Sequence, residues 1–86
     1  MSAPLPLRVM VHDVWAEVQL ELPPSTTIVE LKHRALTSTH VARDPAGYVV
    51  KFRGFELLDE HQTLADHGVV PNANLIVLSR RRRPVR

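Results

Sequence analysis

Two short segments that alternate apolar and polar residues, 7–12 and 18–22, constrain the fold more than any other feature. A period of two residues is typical of a strand with one buried face. Only five residues join the segments, so we predict an antiparallel hairpin rather than a crossover. Pro23 and Pro24 end the second strand, because proline has no amide hydrogen to donate to a sheet. The positions predicted to face the core are Leu7, Val9, Val11, Val18, Leu20 and Leu22.

A capping box marks the start of one helix. The Thr27 hydroxyl can accept a hydrogen bond from the Glu30 amide, and the Glu30 carboxylate can reach back to the Thr27 amide. Apolar residues then recur at helical spacing and form one stripe, with Lys32 off it. We therefore predict a helix over residues 28–38, which must end before the turn cluster 44–47.

The second half of the chain predicts two further strands and two short elements. Residues 48–52 and 75–78 predict strands, residues 56–58 a short edge strand, and residues 63–68 one helical turn. Gly54 allows the turn after the third strand, because glycine adopts positive φ freely. Helix and strands are segregated, which predicts an α+β fold with one helix on a mixed sheet of four to five strands. In the simplest arrangement the last strand lies beside the first and parallel to it.

Length and charge predict one domain with a distinct tail. Eighty-six residues allow a single domain, which we place at residues 7–79, after a disordered segment 1–6. Residues 1–79 carry six basic and nine acidic side chains, so the folded part is mildly acidic. The basic pI therefore comes from the flexible tail 80–86 and not from the fold surface. The basic residues of that tail are Arg80, Arg81, Arg82, Arg83 and Arg86.

Composition argues against several functional classes. The chain has no cysteine, which excludes disulfides and thiolate chemistry and agrees with the cytoplasmic location that we expect. It has neither a signal-peptide pattern nor an apolar run long enough to span a bilayer. Its five histidines lie at no metal-ligand spacing, and no glycine-flanked nucleophile or phosphate-binding loop is present. We therefore expect no cofactor, no bound metal and no enzymatic activity.

Several local strings, in a fixed order and spacing, carry a family resemblance. They are Pro24-Ser25-Thr26-Thr27-Ile28 with Leu31-Lys32, Phe52-Arg53-Gly54, Leu58-Asp59 with Thr63-Leu64-Ala65-Asp66, and Asn74-Leu75-Ile76-Val77-Leu78. Because of these strings and the order of its elements, the chain from Leu7 to Arg80 resembles ubiquitin and its relatives. The resemblance implies the β-grasp fold and implies that partners dock on the outer face of the sheet.

The tail departs from the conjugated members of that family. Those modifiers end in a Gly-Gly pair that is joined to lysines, whereas residues 79–86 contain no glycine. We therefore expect a non-conjugating member, a design shared with the bacterial ubiquitin-like proteins associated with type VII secretion. Lys32 resembles a chain-linkage lysine by position, but Lys51 is the only other lysine, so we do not expect polymer formation.

The outer face of the predicted sheet is apolar as well as the inner face. One helix can cover only one face, so we expect the other to bind a protein partner. Self-association, giving a weak homodimer instead of a monomer, and no role at all are the alternatives. The residues predicted to form this surface are Met10, Val49, Ile76 and Leu78, with Phe55 leaning toward them and Arg8, Lys51 and Arg80 at the rim.

Two other features suggest binding. Trp15 at the hairpin tip predicts either an exposed interface anchor or a side chain folded over the sheet edge as core. The arginine tail predicts contact with nucleic acid or an anionic membrane, because guanidinium groups pair with phosphate. A solvated tail or the start of a linker is the alternative. A small subunit of a secretion or enzyme complex is a third function compatible with the sequence.

Overall fold

The structure, a computed structural model, describes residues 3–41 and 44–79. One helix lies across a five-stranded mixed sheet, which is the predicted α+β architecture. The elements are β1 Leu5–Val11, β2 Ala16–Leu22, α1 Ile28–Ser38, β3 Tyr48–Phe52, β4 Phe55–Glu56 and β5 Ala73–Ser79. The strand order is β2-β1-β5-β3-β4, with β5 parallel to β1 and antiparallel to β3. The predicted position of the last strand is confirmed.

The first hairpin is longer than the sequence predicts. β1 pairs with β2 from Leu5 opposite Leu22, and Pro6 lies opposite Glu21. Leu5 and Pro6 are therefore part of the sheet and not of a disordered segment 1–6. Pro6 is tolerated there because β1 pairs with β5 only from Leu7 onward. The amide hydrogen that Pro6 lacks is therefore not needed for a hydrogen bond to β5.

The predicted limits of α1 are confirmed, and so is half of its capping box. The Glu30 amide donates to the Thr27 hydroxyl oxygen over 3.3 Å. The Glu30 carboxylate does not return to Thr27 as predicted, because it lies toward Arg34, 3.7 Å from that guanidinium. The helix thus begins with one side-chain cap and one exposed ion pair along its surface.

The segment between β4 and β5 crosses the start of α1. The amide of Ile28 donates to the Gln62 carbonyl over 3.1 Å, and the amide of Val29 donates to the Glu60 carbonyl over 3.0 Å. The first amides of a helix have no partner within the helix. Here a loop supplies those partners, which fixes the position of the loop relative to the helix.

The predicted helical turn at residues 63–68 is a hydrogen-bonded turn with its own reciprocal cap. The Thr63 amide donates to the Asp66 carboxylate over 3.0 Å, and the Asp66 amide donates to the Thr63 hydroxyl oxygen over 3.1 Å. The hydrogen bond from the Thr63 backbone lowers the pKa of the Asp66 carboxyl, and the Thr63 hydroxyl and His67 act in the same direction. Gly68 ends the turn with a φ of +74°.

The second hairpin is tighter than predicted. Arg53 and Gly54 have φ values of +56° and +82°, a pair of positive angles that suits a two-residue hairpin loop. This loop starts β4 at Phe55, directly opposite Phe52 and one residue earlier than the predicted edge strand.

One hydrophobic core fills the space between α1 and the sheet. It contains the residues predicted to face inward on β1, α1, β3 and β5, which are Leu7, Val9, Val11, Ile28, Leu31, Ala35, Leu36, Val50, Phe52, Leu75 and Val77. Val18 and Leu20 are only partly buried, because β2 is the outermost strand on its side. None of the described helices is long and apolar enough to cross a membrane. Core residues that the sequence analysis did not include are Tyr48, Leu57, Val69 and Ala73.

Candidate functional site

One row of outer-face residues crosses all five strands. Glu17 lies opposite Met10, Met10 beside Ile76, Ile76 opposite Lys51, and Lys51 opposite Glu56. Residues that are directly paired point to the same face of a sheet. The row is therefore apolar in the middle and charged toward both ends, which is the order expected of a docking surface with a polar rim.

The middle of this row widens into an apolar patch. Ile76 is 42% exposed, although β5 has a strand on each side. Met10 and Leu78 are half-buried on the same face. We call Met10, Ile76 and Leu78 the outer-face patch. Arg8 precedes Met10 by two residues on the same face of β1, and Lys51 lies opposite Ile76 on β3, so the two predicted rim residues flank the outer-face patch.

Val49 belongs to the outer face but not to the exposed surface. It lies opposite Leu78, on the same side of β3 as Lys51, and is only 6% exposed. Its cross-strand neighbour on that face is the longer Leu78 side chain. The prediction that Val49 offers a contact surface is therefore wrong.

Phe55 lies away from the outer-face patch. It is paired directly with Phe52, whose side chain belongs to the core. Direct pairing places Phe55 on the helix side of the sheet, at the edge strand, where it is 74% exposed. The prediction that Phe55 leans toward the outer-face patch is therefore wrong, because the two-residue turn fixes its register.

Trp15 is exposed and adjoins the outer-face patch. It follows a short 3₁₀ turn, His12–Val14, and its side chain is 72% exposed, which excludes the core alternative. The His12 and Trp15 ring centroids are 4.7 Å apart at 59°. Trp15 forms one wall of an open groove of about 420 Å³ on the outer face. The groove is lined by Arg8, Met10, His12, Trp15, Glu17, Asn74, Leu75 and Ile76.

The Trp15 backbone is held in a conformation that favours glycine. Its φ is +50°, and a left-handed conformation costs an L-residue roughly 1–2 kcal/mol. We expect Trp15→Gly to leave the free energy of unfolding unchanged or to raise it by up to about 1 kcal/mol, since glycine also loses more chain entropy. Urea unfolding measures this. A loss of more than about 1 kcal/mol would show that the indole supports the fold.

Lys32 lies on the buried face of α1, so the prediction that it lies off the apolar stripe is wrong. Its side chain is 3% exposed, and its ammonium group donates to the Tyr48 carbonyl over 2.8 Å and to the Glu60 carboxylate over 2.6 Å. Spacing could have shown this, because Lys32 lies four residues from both Ile28 and Leu36 and so shares their face. Its amine is enclosed in an ion pair and is a poor acceptor for a linked modifier.

A hydrogen bond of Tyr48 connects the Lys32–Glu60 pair to the hairpin tip. The Tyr48 hydroxyl donates to the Asp13 carboxylate over 2.6 Å. Asp13 belongs to the 3₁₀ turn that carries His12 and precedes Trp15. The contacts of Tyr48 therefore join α1, β3 and the turn that positions the wall of the groove. The sequence gives no signal for this contact, since the two residues lie 35 positions apart.

The arginine tail lies outside the described residues. Contact with nucleic acid through Arg80, Arg81, Arg82, Arg83 and Arg86 therefore stays a prediction, as does the place of Arg80 at the rim. Within residues 3–41 and 44–79, no three side chains of the metal-binding types lie close enough together to hold an ion.

Known structures with the same architecture were found, although no family model and no curated protein matches the sequence. The ubiquitin-like domain of an Arabidopsis thaliana protein superposes with a TM-score of 0.77 at 14% identity, covering 96% of this chain and 84% of that one. A protein designed de novo on the basis of ubiquitin gives 0.77 at 20%, covering 96% of both. Ubiquitin of Caldiarchaeum subterraneum gives 0.76 at 16%, covering 95% of this chain and 96% of that one. The chain therefore has the ubiquitin-like β-grasp fold.

Proposed function

We propose that this chain is a non-catalytic protein-interaction module that binds its partners on the outer-face patch. The observation that carries the proposal is the position of Ile76. It is an aliphatic residue on an inner strand of the sheet, and 42% of its surface is open to solvent.

The two faces of β5 differ in what covers them. Leu75 and Val77, which point to the helix side, are 1% and 0% exposed. On the opposite side Ile76 has no helix over it within the described chain. Exposed apolar surface ringed by polar groups is the usual composition of a protein-binding site. Arg8 and Lys51 supply that ring and favour a partner with acidic residues around an apolar contact.

Trp15 extends the surface beyond the outer-face patch. Tryptophan is enriched among the residues that contribute most to binding, because a large ring excludes water from its contact. The groove beside it, between Met10 and Ile76, offers an apolar floor for one side chain of a partner. A cytoplasmic location, an adaptor role and membership of a secretion or enzyme complex are compatible with this proposal.

We also propose that the chain acts without carboxyl-terminal conjugation. The three glycines, Gly47, Gly54 and Gly68, form no Gly-Gly pair, whereas conjugation in this fold uses such a pair. The enclosed amine of Lys32 leaves Lys51 as the accessible lysine side chain. Under this proposal, partner binding requires covalent linkage neither through a carboxyl-terminal glycine nor through a lysine side chain.

Site-specific photo-cross-linking in the native cell tests the docking surface. A photoreactive phenylalanine analogue is placed at Ile76 or, as a matched control, at Leu58, which is also apolar and exposed but lies outside the sheet. We expect discrete cross-linked products from position 76 and not from position 58. Equal products from both positions, or products from 58 alone, would contradict the proposal.

A further inference from the structure

The edge of β2 is open along seven residues. β2 pairs with β1 on one side, and the described part of the chain places no strand on the other. Along an edge strand every second residue directs its amide and carbonyl groups away from the sheet. β2 therefore presents a row of unpaired backbone groups on which another strand can form.

β2 lacks three of the features that usually prevent strand addition, namely proline or lysine in the strand, a bulge and a very short length, and its only charges are Glu17 and Glu21. Its sequence, AEVQLEL, contains no proline and no lysine. Its pairing with β1 runs from Leu22 to Ala16 without a skipped residue, so no bulge bends the edge away. The opposite edge differs, because β4 has only two residues.

The side chains of β2 define what kind of strand fits. Val18 and Leu20 are half-buried against the core, so part of each side chain remains uncovered on the helix side. Glu17, Gln19 and Glu21 are exposed on the outer side. Cross-strand neighbours stabilise a pair when apolar residues meet apolar ones and opposite charges meet. A complementary strand alternates apolar and basic residues.

The same charges oppose pairing between two copies of this chain in the register that pairs all seven β2 residues. An antiparallel β2 pair centred on Gln19 would place Glu17 of each copy opposite Glu21 of the other, and like charges in direct opposition destabilise a sheet. The arginine-rich segment 80–86 is also a poor match, because it does not alternate and contains Pro84.

We propose that β2 accepts an added strand from a protein partner in which apolar and basic residues alternate. This edge is a second binding surface, distinct from the outer-face patch. The two surfaces adjoin at Glu17, which lies on β2 and also lines the groove. A single partner can therefore occupy both.

Residue-resolved amide hydrogen exchange of the intact ¹⁵N-labelled chain tests the proposal. The probe is an acetylated and amidated heptapeptide that alternates lysine and valine, and the control peptide replaces each lysine with glutamate. At saturating lysine peptide we expect exchange of alternate β2 amides to slow by about 10-fold or more, as hydrogen bonding to the added strand protects them. The glutamate peptide is expected to protect none of them. Unchanged β2 exchange, or equal protection by both peptides, would overturn the proposal.

Variants separate this edge from the outer-face patch. The double variant Glu17→Lys/Glu21→Lys changes exposed side chains only, and we expect it to weaken lysine-peptide binding by about 10-fold or more. If the double variant unfolds, Gln19→Lys provides the same test with one change. Ile76→Asp is expected to leave peptide binding intact. Loss of binding in Ile76→Asp with no loss in the β2 variants would place the peptide on the outer face and contradict strand addition.

Discussion

Glu60→Leu is expected to lower the free energy of unfolding by about 3 kcal/mol, the lower end of the range for breaking a buried ion pair. The Lys32 ammonium would keep its bond to the Tyr48 carbonyl but lose the carboxylate 2.6 Å away. We take the lower end because the Glu60 side chain is 19% exposed, so water partly replaces it. Urea unfolding of the two proteins gives the difference.

The double variant Lys32→Met/Glu60→Leu separates charge burial from packing. Replacing both partners with apolar side chains leaves no unpaired charge, so we expect it to be more stable than Glu60→Leu alone. Arg34→Met is the matched control, because the Arg34–Glu30 pair is more than half exposed and 3.7 Å long; we expect a change of about 0.5 kcal/mol or less. A double variant as unstable as the sum of its single variants would contradict coupling between Lys32 and Glu60.

Ile76→Asp is expected to weaken partner binding by about 100-fold or more, because a carboxylate would have to lose its water at the centre of an apolar contact. Folding should change little. Ile76 is open to solvent, and strand preferences differ by only about 1 kcal/mol between residue types. Titration calorimetry with the cross-linked partner, once purified, measures the loss of affinity.

Leu58→Asp serves as the control for this substitution. It introduces the same charge at an exposed leucine outside the sheet, and we expect affinity within about 2-fold of the unmodified chain. Equal losses in Leu58→Asp and Ile76→Asp would indicate a general effect of charge. If Ile76→Asp instead unfolds the chain, Ile76 is a structural residue and the docking proposal fails.

The order of elements and the strand arrangement could be predicted because they depend on local signals. Alternation, the Thr27 cap and the short first connection each act within a few residues. One helix can cover only one face of the sheet, which leaves few possible strand orders. The simplest of them places β5 between β1 and β3, as observed. Ile76 could be assigned to the outer face for the same reason, since Leu75 and Val77 have to face the helix.

The errors concern residues whose environment depends on distant parts of the chain. Val49 lies on the predicted face of β3, but its burial depends on its neighbours on that face, including Leu78 opposite it on β5. Phe55 was misplaced because its face is set by pairing with Phe52 across a two-residue turn. The partners of Lys32 come from β3 and from the loop after β4, and no local pattern specifies such contacts.

The groove wall could be predicted only in part. A tryptophan near a hairpin tip indicates exposure or folding back, and the sequence offers no choice between them. The choice depends on the positive φ of Trp15 and on the 3₁₀ turn before it, which the hydrogen bond between Tyr48 and Asp13 anchors. That bond joins residues 35 positions apart, so no local sequence pattern predicts it.

Chemical-shift mapping of the intact ¹⁵N-labelled chain with its purified partner tests the docking surface most directly. The largest shifts are predicted at Met10, Ile76 and Leu78 and at the Trp15 indole, with small shifts along α1. Shifts confined to α1 or to the loop around Leu58, with Ile76 and Trp15 unchanged, would show that the open side of the sheet is not where the partner binds.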